Sequence, residues 1–176
     1  MIIAMGLPGA GKTTVLQKLQ GEYKILNYGD LMLEIEKEKG WVQTRDEMRK
    51  LPVGRQREAQ QIVAKRLAKE KGKVILDTHC SIATPQGYYP GLPFEFLKWL
   101  QVDALIYITA GIKEIEERRK NDPIRTRDVD DVAEHDSINR SFLAAYSAFT
   151  GAPSIILYNK QGRLEETVKK LSGLLK

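Results

Sequence analysis

The sequence predicts a three-layer α/β fold, a five-stranded parallel sheet covered by helices on both faces. Three observations carry that expectation. Short apolar runs alternate with segments of helical spacing from one end of the chain to the other. The run KVILD, Lys73 to Asp77, is apolar across its middle, as in a strand covered on both sides. Gly21, Gly40 and Gly72 stand where helical segments should stop.

In order, MIIAM (residues 1–5) reads as a buried strand, and KTTVLQKLQG as a helix closing at Gly21. YKILNY (23–28) is a second strand, and DLMLEIEKEKG (30–40) a helix. VGRQREAQQIVAKRLAKEKG (53–72) is the clearest amphipathic helix, and it leads into the strand at 73–77. A Pro/Gly-rich stretch, TPQGYYPGLP, follows as an irregular excursion near 78–93. FEFLKWL is a short helix, ALIYIT (104–109) a strand, and IKEIEERRK (112–120) a helix running into the charged loop NDPIRTRDVDD. A long helix (132–151), a strand (154–159) and a last helix (163–175) complete the series. No repeat or linker interrupts it, so one domain over 1–176 is expected.

The 176 residues are 42% hydrophobic and 29% charged, enough for a full core. No apolar run approaches the roughly 20 residues that cross a bilayer, and no signal peptide is recognisable, so a cytoplasmic protein without a membrane partner is expected. A single cysteine, Cys80, excludes an intrachain disulfide and a multi-cysteine zinc site; a metal is expected to arrive with the ligand. The net charge of +5 suits either nucleic acid or small phosphorylated ligands.

The stretch GLPGAGKTT decides between them. Gly6, Leu7, Pro8, Gly9, Ala10, Gly11, Lys12 and Thr13 complete the pattern G-x-x-x-x-G-K-[ST], followed by Thr14, with a strand before and a helix after. Glycines let backbone N–H groups curl around phosphate oxygens. Lys12 is placed for the β- and γ-phosphates and Thr13 for Mg²⁺. The chain is expected to bind a nucleoside triphosphate.

Three classes of nucleotide protein compete. A guanine-reading switch needs an Asp where NKQG carries Gly162, though that loop can flank an adenine through its backbone. A hydrolase needs a carboxylate after Asp77, where Thr78 stands; Asp77 itself suits the Mg²⁺ hydration shell. A phosphotransferase needs cations for phosphate in transit, and Arg118, Arg119, Arg125, Arg127 and Arg140 supply them. Their grouping around one cleft argues against a nucleic-acid stripe. For a second substrate, Asp30 follows the second strand, with a helix N-cap as its bland alternative. Arg45 and Arg49 share a helical face that could grip a monophosphate.

Together GLPGAGKTT, NYGDLM, RDEMRKLP, DTHCSIATPQGYYPGLP and RTRD resemble the archaeal-type adenylate kinases, in order and over nearly the whole chain. The resemblance implies a P-loop kinase fold with a short lid at about 119–131 and monophosphate-binding excursions at about 29–60 and 78–93. It implies reversible transfer from MgATP to AMP, a homotrimer and a cytoplasmic home. Gly6 to Thr14 would bind ATP, with Arg118 against the adenine. Asp30, Arg49 and Asp77 would face AMP. Lys12, Arg125, Arg127 and Arg140 would stabilise charge during transfer. The short lid and lone cysteine depart from bacterial members that carry a zinc-bearing lid. The acceptor base stays open among AMP, UMP, CMP and dTMP, and a nucleic-acid-associated P-loop ATPase or regulator is the reading from another class.

Overall fold

The computed structural model describes residues 1–48, 50–121 and 131–175. Strand β1 (Ile2–Gly6) leads through the glycine turn into helix α1 (Lys12–Gln17). Then come β2 (Lys24–Asn27), α2 (Tyr28–Glu38), the short α3 (Arg45–Met48), α4 (Val53–Leu67) and β3 (Val74–Asp77). A hairpin of β4 (Ser81–Thr84) and β5 (Gly87–Pro90) precedes α5 (Phe94–Leu97), β6 (Ala104–Thr109) and α6 (Ile112–Lys120). The order ends with α7 (Val132–Thr150), β7 (Ser154–Tyr158) and α8 (Leu164–Leu174).

The main sheet is five-stranded and parallel, in the order β2-β3-β1-β6-β7. Alternation along each strand sorts its two faces. Ile3, Met5, Leu76, Leu105 and Tyr107 meet α2, α4, α5 and α7 through Ile35, Val63, Leu97 and Leu143. Ala4, Ile75, Ile106, Ile108 and Leu157 meet α1 and α8 through Val15, Leu16 and Leu171. A smaller cluster of Leu7, Ala10, Ala110, Ile115 and Val132 seals the carboxyl edge, where α6 and the start of α7 lie. The chain leaves β1 toward β2 on one side, and β6 lies on the other. The crevice at the end of β1 is therefore a topological switch point, where open α/β sheets bind ligands. No helix among the described residues is long and apolar enough to cross a membrane.

Besides α2 starting at Tyr28, two residues early, the structure departs from the expected elements in three places. Helix α1 stops at Gln17 rather than running to Gly21, because Leu19 and Gln20 donate back in tight turns and Gly21 takes a φ of 100°. Helix α4 likewise ends at Leu67, with Gly72 (φ 85°) returning the chain to β3. The stretch expected to be irregular contains the antiparallel pair β4–β5, in register Ser81 with Pro90 and Thr84 with Gly87.

Candidate functional site

The glycine turn owes its shape to close neighbours. A Cβ on Gly6 would collide with the Ile108 carbonyl across the β1–β6 pair, and one on Gly11 with the Asn159 amide. Gly9 (φ 90°) and Gly11 (φ 80°) both lie in the left-handed region that other residues avoid. Leu7 and Ala10 are buried, so these two serve the turn through their backbone while their side chains pack beneath it.

Three consecutive carbonyls of the turn are held from outside. Arg119 Nε donates to Pro8 O at 2.9 Å, Arg118 Nη1 to Gly9 O at 3.4 Å, and Asn159 Nδ2 to Ala10 O at 3.0 Å. Carbonyl and N–H point opposite ways across a planar peptide. Holding these carbonyls outward turns the following N–H groups the other way. Ala10 N–H is spent on Leu7 O at 3.1 Å, which leaves Gly9 and Gly11 N–H for the concave side.

Lys12 lies at the mouth, its ammonium paired with Asp77 Oδ1 and donating to the Thr78 carbonyl at 2.8 Å. The two side chains are only 11% and 9% exposed. Asp77 is carried there by β3, the strand beside β1, where Thr78 N–H continues the pairing onto Ala4 O. Its other oxygen accepts from Asn27 Nδ2 at 3.0 Å. Thr13 and Thr14 are exposed.

Beside the turn is a cavity of about 210 Å³, lined by Gly11, Thr14, Arg118, Asn159, Gln161 and Leu164 among others. Arg118 forms one wall: besides Gly9 O it donates to Asn159 O at 3.2 Å and Gln161 Oε1 at 3.1 Å. Glu114 anchors the loop opposite, accepting from Gln161 N–H at 3.1 Å and Gly111 N–H at 3.0 Å; those two bonds hold its carboxyl below the usual range.

On the other side of β1, Asp30 does not cap its helix. Asn27 does, accepting from Asp30 N–H at 3.1 Å, while the exposed Asp30 carboxylate pairs with Arg45. Arg45 is thus occupied within the chain, and Arg49, expected to share its face, lies outside the described residues. So do Arg125 and Arg127, in the segment between α6 and α7.

Arg140 is described, half-buried on α7. Its Nε donates to Asp136 Oδ2 at 2.7 Å and its Nη2 to Tyr158 OH at 3.1 Å. Burial works against its charge, yet the bonds to Asp136 and Tyr158 keep the guanidinium above its ordinary value. The same helix reaches the hairpin: Ser81 Oγ donates to Asn139 Oδ1 at 2.6 Å and lies 3.1 Å from His135 Nε2. The hydroxyl proton is directed at Asn139 Oδ1, which ties the hairpin to α7. Burial pushes the Cys80 thiol up to about 12, in keeping with a packing role.

Sequence reasoning named Lys12, Asp77 and Arg118, and the structure brings them around one turn. It passed over Asn27, Asp136 and the bracing by Arg119 and Asn159. An Asn at a strand end before a helix is itself a cap signal, and Asp136 precedes Arg140 by one helical turn, a spacing that can be read from the sequence.

Comparisons with known proteins give the family and the fold. The family described as an AAA domain matches residues 5–136. An adenylate kinase from Methanopyrus kandleri is 48% identical over 97% of this chain and 94% of its own length. One from Thermoplasma acidophilum is 46% identical over 92% and 90%, and one from Methanothermobacter thermautotrophicus 40% identical over 99% and 98%. Among solved structures, a shikimate kinase from Acinetobacter baumannii in complex with shikimate superposes with a TM-score of 0.56 at 22% identity, over 99% of this chain and 91% of its own. That likeness is one of fold.

Proposed function

The chain belongs to the adenylate kinase family and carries the AAA domain, and on that premise we propose that its cleft moves a phosphoryl group reversibly between ATP and AMP, giving two ADP. The observation that supports this reading best is the junction at the ends of β1 and β3, where a braced phosphate turn, Lys12 and Asp77 converge. In it, Gly6 to Thr14 hold the triphosphate, and the 210 Å³ cavity takes the adenine against Arg118. A carboxylate and a hydroxyl, Asp77 and Thr13, are donors suited to magnesium, with Asp77 acting through water. Bound there, magnesium would supply positive charge against that of the phosphates.

Asp30 and Arg49 are assigned to AMP, with the β4–β5 hairpin as the far wall. The AMP phosphate is already anionic, so no general base is required. The chain's task is to align it with the γ-phosphate and exclude water. Arg125, Arg127 and Arg140 would meet the charge of the transferring group. A homotrimer in the cytoplasm is the assembly and compartment that the resemblance suggests.

A coupled assay of ADP formation tests the reaction. Activity with AMP well above that with UMP, CMP or dTMP is expected; preference for a pyrimidine acceptor, or ATP hydrolysis without acceptor, would sink the proposal. Arg125→Ala and Arg127→Ala should each lower kcat at least about a hundredfold while leaving the thermal transition in place, since a transition-state arginine is worth about 10³–10⁵ in related phosphoryl transfer. A loss below about threefold in both would assign them to a solvated face.

A further inference from the structure

Asp136 is 6% exposed and receives three donors. Two hydroxyls from β6, Tyr107 OH and Thr109 Oγ1, both donate to Oδ1 at 2.8 Å. Oδ2 is left for Arg140 Nε at 2.7 Å, one helical turn further along α7. Tyr107 OH also accepts from Asn139 Nδ2 at 3.3 Å, so the carboxylate belongs to a network tying α7 to the sheet. Arg140 has a second tie, Nη2 to Tyr158 OH, with its guanidinium 5.8 Å from the centre of that ring. Its Nη1 has no hydrogen-bond partner among the described residues.

We propose that Asp136 is the positioning residue for Arg140: the saturated carboxylate fixes the guanidinium by Nε and leaves Nη1 free to receive a phosphoryl oxygen. The inference rests on the reading above, in which Arg140 faces the transferring group. Two β6 hydroxyls orient the carboxylate, the carboxylate orients the arginine, and a long side chain is ordered before substrate arrives. The bland alternative is that Asp136 only pins α7 to β6.

Asp136→Asn separates the two. Its amide oxygen still serves both hydroxyls, but its Nδ2 then faces Arg140 Nε donor to donor. In the full chain, kcat should fall on the order of ten- to a hundredfold, the loss of one bond to a charged group. Both KM values should stay within about threefold. The double variant with Arg140→Met should be no slower than Arg140→Met alone, because the two residues act as one unit. Multiplying losses in the double variant, or a kcat within about twofold of the parent for Asp136→Asn, would overturn the inference. If Asp136→Asn shows no cooperative unfolding, Tyr158→Phe removes the other tie from an exposed position; a several-fold drop in kcat is expected, and an unchanged kcat counts against the proposal. Arg140→Met with full activity would instead overturn the catalytic reading of Arg140 itself.

Discussion

Lys12→Ala should reduce kcat by at least about a thousandfold, the scale on which preorganised cations and donors act in water-poor sites. The ammonium is held at the mouth of the turn by Asp77 and the Thr78 carbonyl, beside the N–H groups to which the proposed reading assigns the phosphates. Among the described residues, the two arginines at the turn, Arg118 and Arg119, donate to its outer carbonyls. The substitution also removes one partner of a largely buried pair, which costs about 3–5 kcal/mol where no water relieves the remaining charge. Asp77 keeps Asn27 and the partly open mouth, so a lowered but cooperative thermal transition is expected. ATP titration by calorimetry should show a far smaller change than kcat. Turnover retained within tenfold would remove Lys12 from the reacting phosphates.

Asp77→Asn should be nearly as damaging by a different route. The amide has one acceptor and one donor end, while Asp77 faces two donors, Lys12 Nζ and Asn27 Nδ2. Whichever way the amide turns, a donor meets a donor. On the proposed reading, the anion facing the metal's hydration shell is lost as well. Replacing such outer partners costs about 10–100-fold in metal affinity. Titrating MgCl₂ at fixed ATP should move the midpoint up by at least about tenfold and lower kcat about a hundredfold. An unchanged midpoint would take Asp77 out of the metal's surroundings.

Local features of the fold were legible because they depend on near neighbours. Strand Ala104–Thr109 and helix Ile112–Lys120 fall where spacing sets them. The hairpin was not, because Pro85 and Gly87 masked the alternation of Ile82, Ala83, Tyr88 and Tyr89, whose pairing depends on β4 and β5 meeting. The phosphate turn was legible from its own residues; its bracing was not. Asn159 reaches Ala10 across 149 residues, and Arg119 reaches Pro8 across 111. NKQG could be read as a loop near a base, but not as one whose first side chain shapes the turn. A cap was the alternative reading of Asp30 because the strand was expected to run through Tyr28; the chain turns helical at Tyr28, which makes Asn27 the cap.

Strand β1 has a bearing on how the molecule is made. It pairs with no strand adjacent in the chain: Ile2 faces Ile75 on one side and Ala104 on the other. Such distant pairings are slow to close and must wait for loop entropy to be met. A ribosome synthesises the phosphate turn long before β6 and Asn159 exist to shape it. Nucleotide affinity should therefore emerge late in biogenesis, and ATP can reward only a chain that has already brought its two ends together.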